Sequence, residues 1–247
     1  MNHLEVGQEM HLRGEDEVIN TDFNDFQDCY KEQLQNAISF IGQDLDYFTE
    51  VKARYLCEIA KKYLGNTRNL SVLDLGCGVG LTDRFLNTEF RKLYGIDISE
   101  GIIEKAALTN PSVCYQVYDG KRIPFTEESM DIVFTVCVMH HISPSVWLDM
   151  IREFHRVLKK GGLLVIFEHN PFNPLTRRVV NNCKFDADAV LLTQYAVKNL
   201  INDIGLNLVE GSYILFFPFR GPVFSILDRI LRWLPLGAQY YVVGRKV

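Results

Sequence analysis

The chain has 247 residues, 47% hydrophobic and 23% charged, proportions that support a folded core and exclude a low-complexity or disordered chain as a whole. Twenty-six Lys and Arg against 31 Asp and Glu leave a net charge of −5, so the molecule overall has no attraction for nucleic acid or anionic lipid, although a local basic patch would. The opening "MNHLEVGQEMHLRGEDE" lacks the apolar segment of a secretory signal, and the longest apolar run, "YILFFPF" from Tyr213, is far short of the roughly 18 residues a membrane span needs.

Residues 1–20 are polar and aperiodic, which predicts a poorly ordered tail. From Asp25 to Leu64 the apolar residues Leu34, Ile38, Ile41, Val51, Tyr55, Ile59 and Tyr63 recur at helical spacing, and Gly65 stands as a C-cap. The rhythm then alternates. "SVLDL" reads as a strand, followed by a helix from about Leu81 to Leu86. "LYGIDI" is a second strand, and Glu100 to Leu108 a helix with Ser99 as N-cap. "VCYQVY" is a third strand and "DIVFTVCV" a fourth, apolar throughout as a strand buried on both faces should be. A helix from about Ser145 to Leu158 ends at "KKGG", and "LLVIFEH" is a fifth strand. A helix from Gln194 to Asp203 capped by Thr193 follows, then strands near Leu208 to Phe217 and Gln239 to Gly244. This alternation implies a parallel sheet with helices on both faces, whose ligands bind beyond the carboxyl ends of the strands. Cysteines at 29, 57, 77, 114, 137 and 183 form no C-x-x-C pair. They read mostly as buried free thiols of a reducing, cytoplasmic protein.

Residues at the strand ends therefore matter most. "DLGCGVG" has Leu81 where a dinucleotide fingerprint requires its third glycine, and no P-loop lysine follows. What remains is Asp74 ahead of Gly76, Gly78 and Gly80, a carboxylate that would repel phosphate and suits a cationic ligand. Asp97 lies about 20 residues on, the spacing at which an acid holds a ribose diol, although such an aspartate also caps helices. Asp119 in "VYDGKRIPF" can accept from an adenine amino group with Gly120 leaving room, and equally reads as a plain Asp-Gly turn. Taken together, an amine near Asp74, a ribose at Asp97, an adenine at Asp119 and no phosphate site outline S-adenosyl-L-methionine.

Through "VLDLGCGVG", "LYGIDISEGIIEKA", "YDGKRIPFTEESMDIVFTVCVMHHI" and "IREFHRVLKKGGLLVIFEHNPFNP", the chain resembles the class I S-adenosylmethionine-dependent methyltransferases of Rossmann-like fold. The resemblance is strong over about residues 70–170. It implies an α/β fold with a doubly wound seven-stranded sheet, mostly parallel with the last strand antiparallel. Residues 1–66 would be tail and helical cap, and 67–247 the methyltransferase domain, with insertions at about 170–192 and 218–237. By matched position, Gly76, Cys77 and Gly78 would approach the methionine part and the ribose. Asp97 and Ile98 would hold the ribose and flank the adenine, Asp119 and Gly120 would contact the adenine, and the backbone near Cys137 would face the methionine moiety.

A sulfonium is an activated methyl donor, so aligning the acceptor supplies most of the acceleration, about 7–11 kcal/mol. A general base is needed only for an acceptor with a proton to lose. His140 and His141 in "VCVMHHISP" are the candidates, His141 ahead, against the alternative of one packed and one solvated histidine. "EHN", Glu168 to Asn170, offers oxygen ligands without a tight carboxylate cluster, so a metal-free protein is expected.

Acceptor specificity is expected outside the common core. The candidates are Tyr30 and Phe48 in the N-terminal region, the connection from Asn170 to Leu192 with Arg177 and Arg178, and "PVFSILDRILRWLPLG". In the last, residues 223, 224, 226, 227, 230, 231 and 234 form an apolar side opposite Ser225, Asp228, Arg229 and Arg232. A lid, a helix in weak contact with a membrane surface through 222–237, and a helix packed on the body all fit. The favoured reading is methylation of a small, apolar or lipid-like organic molecule. RNA methylation has against it the acidic charge, no basic stripe and no N/D-P-P-Y/F block, so no nucleic-acid partner is expected. A non-catalytic cofactor-binding protein remains open, as do the atom methylated and the oligomeric state.

Overall fold

The structure, a computed structural model, describes residues 30–247; the tail expected over residues 1–20 and the helical start at Asp25 lie outside them. The strands are β1 (Ser71–Leu75), β2 (Lys92–Asp97), β3 (Cys114–Val117), β4 (Met130–Val136), β5 (Leu158–His169), β6 (Asn207–Ile214) and β7 (Gln239–Arg245). They form one sheet of order β3-β2-β1-β4-β5-β7-β6. Neighbours pair in parallel except β7, which is antiparallel to both β5 and β6. This is the Rossmann-like sheet expected from the resemblance.

Among the described residues seven α-helices accompany it: α1 (Tyr30–Ile38), α2 (Leu45–Leu64), α3 (Glu100–Thr109), α4 (Trp147–Val157), α5 (Pro174–Asn182), α6 (Gln194–Asp203) and α7 (Pro222–Leu231). Alternate side chains of the central strands serve opposite faces. Val72, Phe134, Val165 and Phe167 pack with Tyr55, Leu56 and Ile59 of α2. Leu73, Val133, Leu164 and Ile166 pack with Ile151 and Phe154 of α4 and with Val197 and Ile201 of α6. Burial on both faces explains why β1 and β4 are nearly continuous apolar runs.

Several boundaries depart from the sequence expectation for local reasons. The helical region ending at Leu64 is broken by a 3-10 turn at Ser39–Ile41 and by Gly42 at φ 73°. Helix α2 restarts behind Asp44, whose carboxylate accepts from the Tyr47 N–H at 2.8 Å. The helix expected over Leu81–Leu86 is only a 3-10 turn, Asp83–Phe85. Thr82, Asp83 and Asn87 are weak helix formers, and the Asp83 carboxylate turns inward to accept from the Tyr115 hydroxyl at 2.7 Å. Pro144–Val146 forms another 3-10 turn, so α4 starts at Trp147, and "KKGG" belongs to β5 with Gly161 at φ 78°. Strand β6 stops at Ile214 because Leu215 adopts φ 61°. The caps hold as read: Ser99 and Thr193 accept from the N–H groups of Ile102 and Ala196.

Helix α7 departs from the expected stripe in its length and in which side it buries. It ends at Leu231, and Asp228, assigned to its polar side, is its one buried residue. Val223, Ile226 and Ile230 of the apolar side are 63%, 56% and 60% exposed, so this side is not packed on the body. No helix among the described residues is long and apolar enough to cross a membrane.

Candidate active site

The loop after β1 is built on left-handed glycines, Gly76, Gly78 and Gly80, at φ 71°, 53° and 72°. The N–H groups of Gly76 and Cys77 both donate to the Ile96 carbonyl, at 2.8 and 3.1 Å. That pins the loop against the tip of β2. A Cβ at Gly76 would run into the Val138 side chain. Across the same tip, Asp97 accepts from the Gly78 N–H at 3.0 Å and from the Ser99 N–H at 3.2 Å. Burial raises its pKa and those bonds partly offset the rise. The carboxylate is thereby fixed in orientation while keeping lone pairs free for a diol.

Asp119 is exposed and accepts from the N–H groups of Lys121 and Arg122 at 2.9 and 2.8 Å, which hold its pKa below the usual carboxylate value. Gly120 adopts φ 74° with only the Ile98 side chain near its face, at 3.4 Å from a built Cβ. Asp97, Ile98, Asp119 and Gly120 thus stand together on the open side of the β2 and β3 tips. Asp74, Gly76, Cys77 and Cys137 instead line a partly open cavity of about 220 Å³. Gly78, through its bond to Asp97, lies between the two groups.

Asp74 is 2% exposed and its Oδ1 has no hydrogen-bond partner. Burial, then the charges of Asp83 and Asp97, push its pKa well up, with Lys52 opposing. Asp83 is also buried, and burial lifts it to about 6 against the hydrogen bonds from Tyr115 and Asp74. These are two neighbouring buried acids, each with an unpaired Oδ1, and Asp74 borders the cavity. Such a site favours a ligand with positive charge.

The far wall comes from the ends of β4 and β5. Cys137 leaves β4 at φ 56° with its N–H on the Phe167 carbonyl at 2.8 Å. Glu168, fully buried, accepts from the Met139 N–H at 2.8 Å and lies 2.7 Å from His140 Nδ1. The Trp147 indole clamps this turn by donating to the Met139 and Ile142 carbonyls at 2.9 and 2.8 Å. His140 Nε2 lies 3.4 Å from Asp186 Oδ1, and His141 Nε2 lies 3.4 Å from the same oxygen. Burial lowers the His140 pKa, but Glu168 and Asp186 outweigh it and hold the ring at about 10. Burial and the neighbouring His140 push His141 down to about 3.

His140 is therefore enclosed between two carboxylates and His141 is 15% exposed, and both border the cavity. Asp186 arrives from the connection after β5, as does Phe185. Nothing in the sequence pattern pairs Asp186 with the two histidines; only the sheet brings them together. Leu34, Ile41, Phe48, Val179 and Phe185 make the remaining wall apolar, and buried Lys52 adds a cation. Phe48 lines the cavity. The side chain of Tyr30 is outside the described residues. Arg178 stacks on Phe40 at 4.5 Å.

The family model described as "Methyltransferase domain" matches residues 73–166. An uncharacterized protein of Methanocaldococcus jannaschii is 24% identical over 216 residues, 86% of this chain and 88% of that one. The 2-methyl-6-phytyl-1,4-hydroquinone methyltransferase of Synechocystis is 34% identical over 104 residues; the match covers 40% of this chain and only 32% of that enzyme. Among solved structures, an S-adenosylmethionine-dependent methyltransferase from Thermotoga maritima shares the fold with a TM-score of 0.63 at 19% identity, over 91% of this chain and 98% of that one.

Proposed function

We propose that this chain, whose residues 73–166 match the methyltransferase domain family, is a class I S-adenosylmethionine-dependent methyltransferase and transfers the methyl group to a small, apolar or lipid-like organic acceptor by in-line displacement. The observation that carries the acceptor class is the continuity of one cavity: it runs from Asp74, Gly76 and Cys77 to an apolar chamber lined by Leu34, Ile41, Phe48 and Phe185. The phytylated hydroquinone named for the Synechocystis relative supports the same class.

The residues present fit the cofactor. The unpaired oxygen of Asp74 meets the cationic methionine end, and Asp97, already aimed by Gly78 and Ser99, takes the ribose hydroxyls. Gly120 and Ile98 flank the adenine, with Asp119 at its edge, and Gly76, Cys77 and the Cys137 backbone border the methionine moiety. The bound cofactor supplies an activated methyl on sulfur. The protein orients the acceptor and excludes water, terms worth about 7–11 kcal/mol together when alignment is good. His141 faces the acceptor and accepts its hydrogen bond; His140 positions that turn through Glu168. On this reading residues 1–66 are tail and cap, with α1 and α2 closing the chamber over a domain of 67–247.

Methyl-labelled cofactor incubated with the protein and a cell extract tests this. Label in a product that partitions into organic solvent is the expected result. Label in RNA would replace the proposal with nucleic-acid methylation, and cofactor binding without any transfer would make the protein a non-catalytic binder.

A further inference from the structure

Two imidazoles and a carboxylate meet on the chamber wall: His140, His141 and Asp186 each offer one ligand atom, and these atoms lie within 4.8 Å of one another. Both nitrogen-to-oxygen edges of the triangle are 3.4 Å. A tetrahedron of N and O ligands about 2.0–2.1 Å from a central zinc ion has edges of about 3.4 Å. The match is to a coordination edge rather than to a hydrogen bond. Accordingly His140 Nε2, in a ring only 1% exposed, has no hydrogen-bond partner.

The surroundings fit the same chemistry. A ligating histidine ordinarily donates its second ring N–H to a carboxylate, which fixes the tautomer and aims the other nitrogen. His140 Nδ1 lies 2.7 Å from Glu168, and Glu168 is held in turn by the Met139 N–H. Glu168 and Asp186 bring two negative charges into one buried place, and a divalent cation balances both. Asp186 is held from its own side by the backbone bonds of its turn, Asp186 N–H to Cys183 and Ala189 N–H to Asp186. All three ligand residues line the cavity, so a fourth coordination position opens towards the acceptor.

We propose that His140, His141 and Asp186 bind one divalent transition-metal ion, with zinc the best match to the edges, and that its open position takes the hydroxyl of a phenol- or enol-type acceptor. This rests on the methyltransferase reading for the acceptor but not for the ion. In the transfer, the acceptor O–H proton leaves to water and an oxygen lone pair forms the O–CH₃ bond. The S–CH₃ bond breaks with its electrons staying on sulfur, so the products are a methyl ether, a neutral thioether and a proton. The cation makes the hydroxyl acidic, and His141 is then its ligand in place of a free base.

The test uses the full chain stripped with a chelator and titrated with zinc ions by calorimetry, and with cobalt(II) by visible absorption. One ion per chain, with the absorption of four-coordinate cobalt, is expected. Asp186→Ala should abolish the site, and Glu168→Gln should weaken it about 10- to 100-fold. Binding of S-adenosylmethionine is measured on the same samples: its retention in Asp186→Ala shows that the variant is folded, and its absence from the unaltered chain would sink the methyltransferase reading alone. Zinc affinity that is absent, or equal in the unaltered chain and Asp186→Ala, overturns the proposal. So does full turnover by protein shown to be free of metal.

Discussion

Asp228 accepts a hydrogen bond at 3.0 Å from the backbone N–H of Phe216, across the gap between α7 and the end of β6. The bond closes a turn in which Leu215 holds φ 61°, a conformation that disfavours a residue with a side chain. Phe216 and Pro218 line the cavity, so α7 acts on the chamber through this carboxylate. Replacing Asp228 with Ala leaves the half-buried Phe216 N–H without this partner and should lower the unfolding free energy by about 1–3 kcal/mol. Denaturant titration measures it, and Asp228→Asn, which keeps an acceptor, should lose less.

Asp74 and Asp83 should make cofactor binding proton-linked. Both carboxyls are held above their ordinary value of 3.8, Asp83 at about 6, by burial. A cationic ligand beside Asp74 favours the ionised pair, so binding should release protons and affinity should rise with pH through this range. Calorimetry near pH 6 in buffers of different ionisation heat reads the release directly. The demethylated product, with neutral sulfur, should release fewer protons, and Asp74→Asn should remove most of the linkage.

The two other acids should separate cleanly. Asp97 has both oxygens engaged by backbone N–H groups and is aimed by them. Asp97→Ala should weaken S-adenosylmethionine binding about 10- to 100-fold, the value of a hydrogen bond to a charged group. Asp119 is exposed and bonds only within its own turn. Its replacement by Ala should change affinity less than about tenfold. Equal losses would mean that the adenine leans on Asp119 as heavily as the ribose on Asp97.

Glu210 sets an acid limit on stability. Burial raises its pKa, but Lys62 at 2.6 Å, the Tyr241 hydroxyl and the Tyr63 hydroxyl at 2.8 Å outweigh this and hold it below 4.5. A depressed folded-state value means that the unfolded chain binds more protons. The stabilisation is therefore present above the ordinary carboxylate pKa and is lost as pH falls through the folded value. Melting temperature against pH should show this loss in the unaltered chain and a flatter acid limb in Glu210→Gln.

Much of this site is local in sequence. The glycines fix the loop after β1, Asp97 follows at strand-plus-helix distance, and Ser99 and Thr193 cap the helices that start beside them. These are read without tertiary knowledge because their partners are two or three residues away or one element on. Helix α7 is different: its apolar residues show where a stripe runs and nothing about which side meets the body, which a single carboxylate and the N–H of Phe216 decide. Asp186 is hidden for the same reason. It lies far along the chain from His140 and His141, in a connection with no period, and only the adjacency of β4 and β5 brings the three together.

Gly76 and Val138 should be energetically coupled. Gly76 sits at φ 71°, where a residue with a Cβ costs about 1–2 kcal/mol, and that Cβ would also strike the Val138 side chain. Overpacking of this kind adds about 1–3 kcal/mol, so Gly76→Ala should lose about 2–5 kcal/mol of stability in total. Removing the obstacle with Val138→Ala should recover the packing part but not the backbone part. A double-mutant cycle by denaturant titration should therefore give a favourable coupling of about 1–3 kcal/mol with the backbone penalty left over. Strict additivity would mean that the loop relaxes away from β4 when crowded. In that event the close approach of Gly76 to Val138 would be incidental to the shape of the cofactor-binding turn.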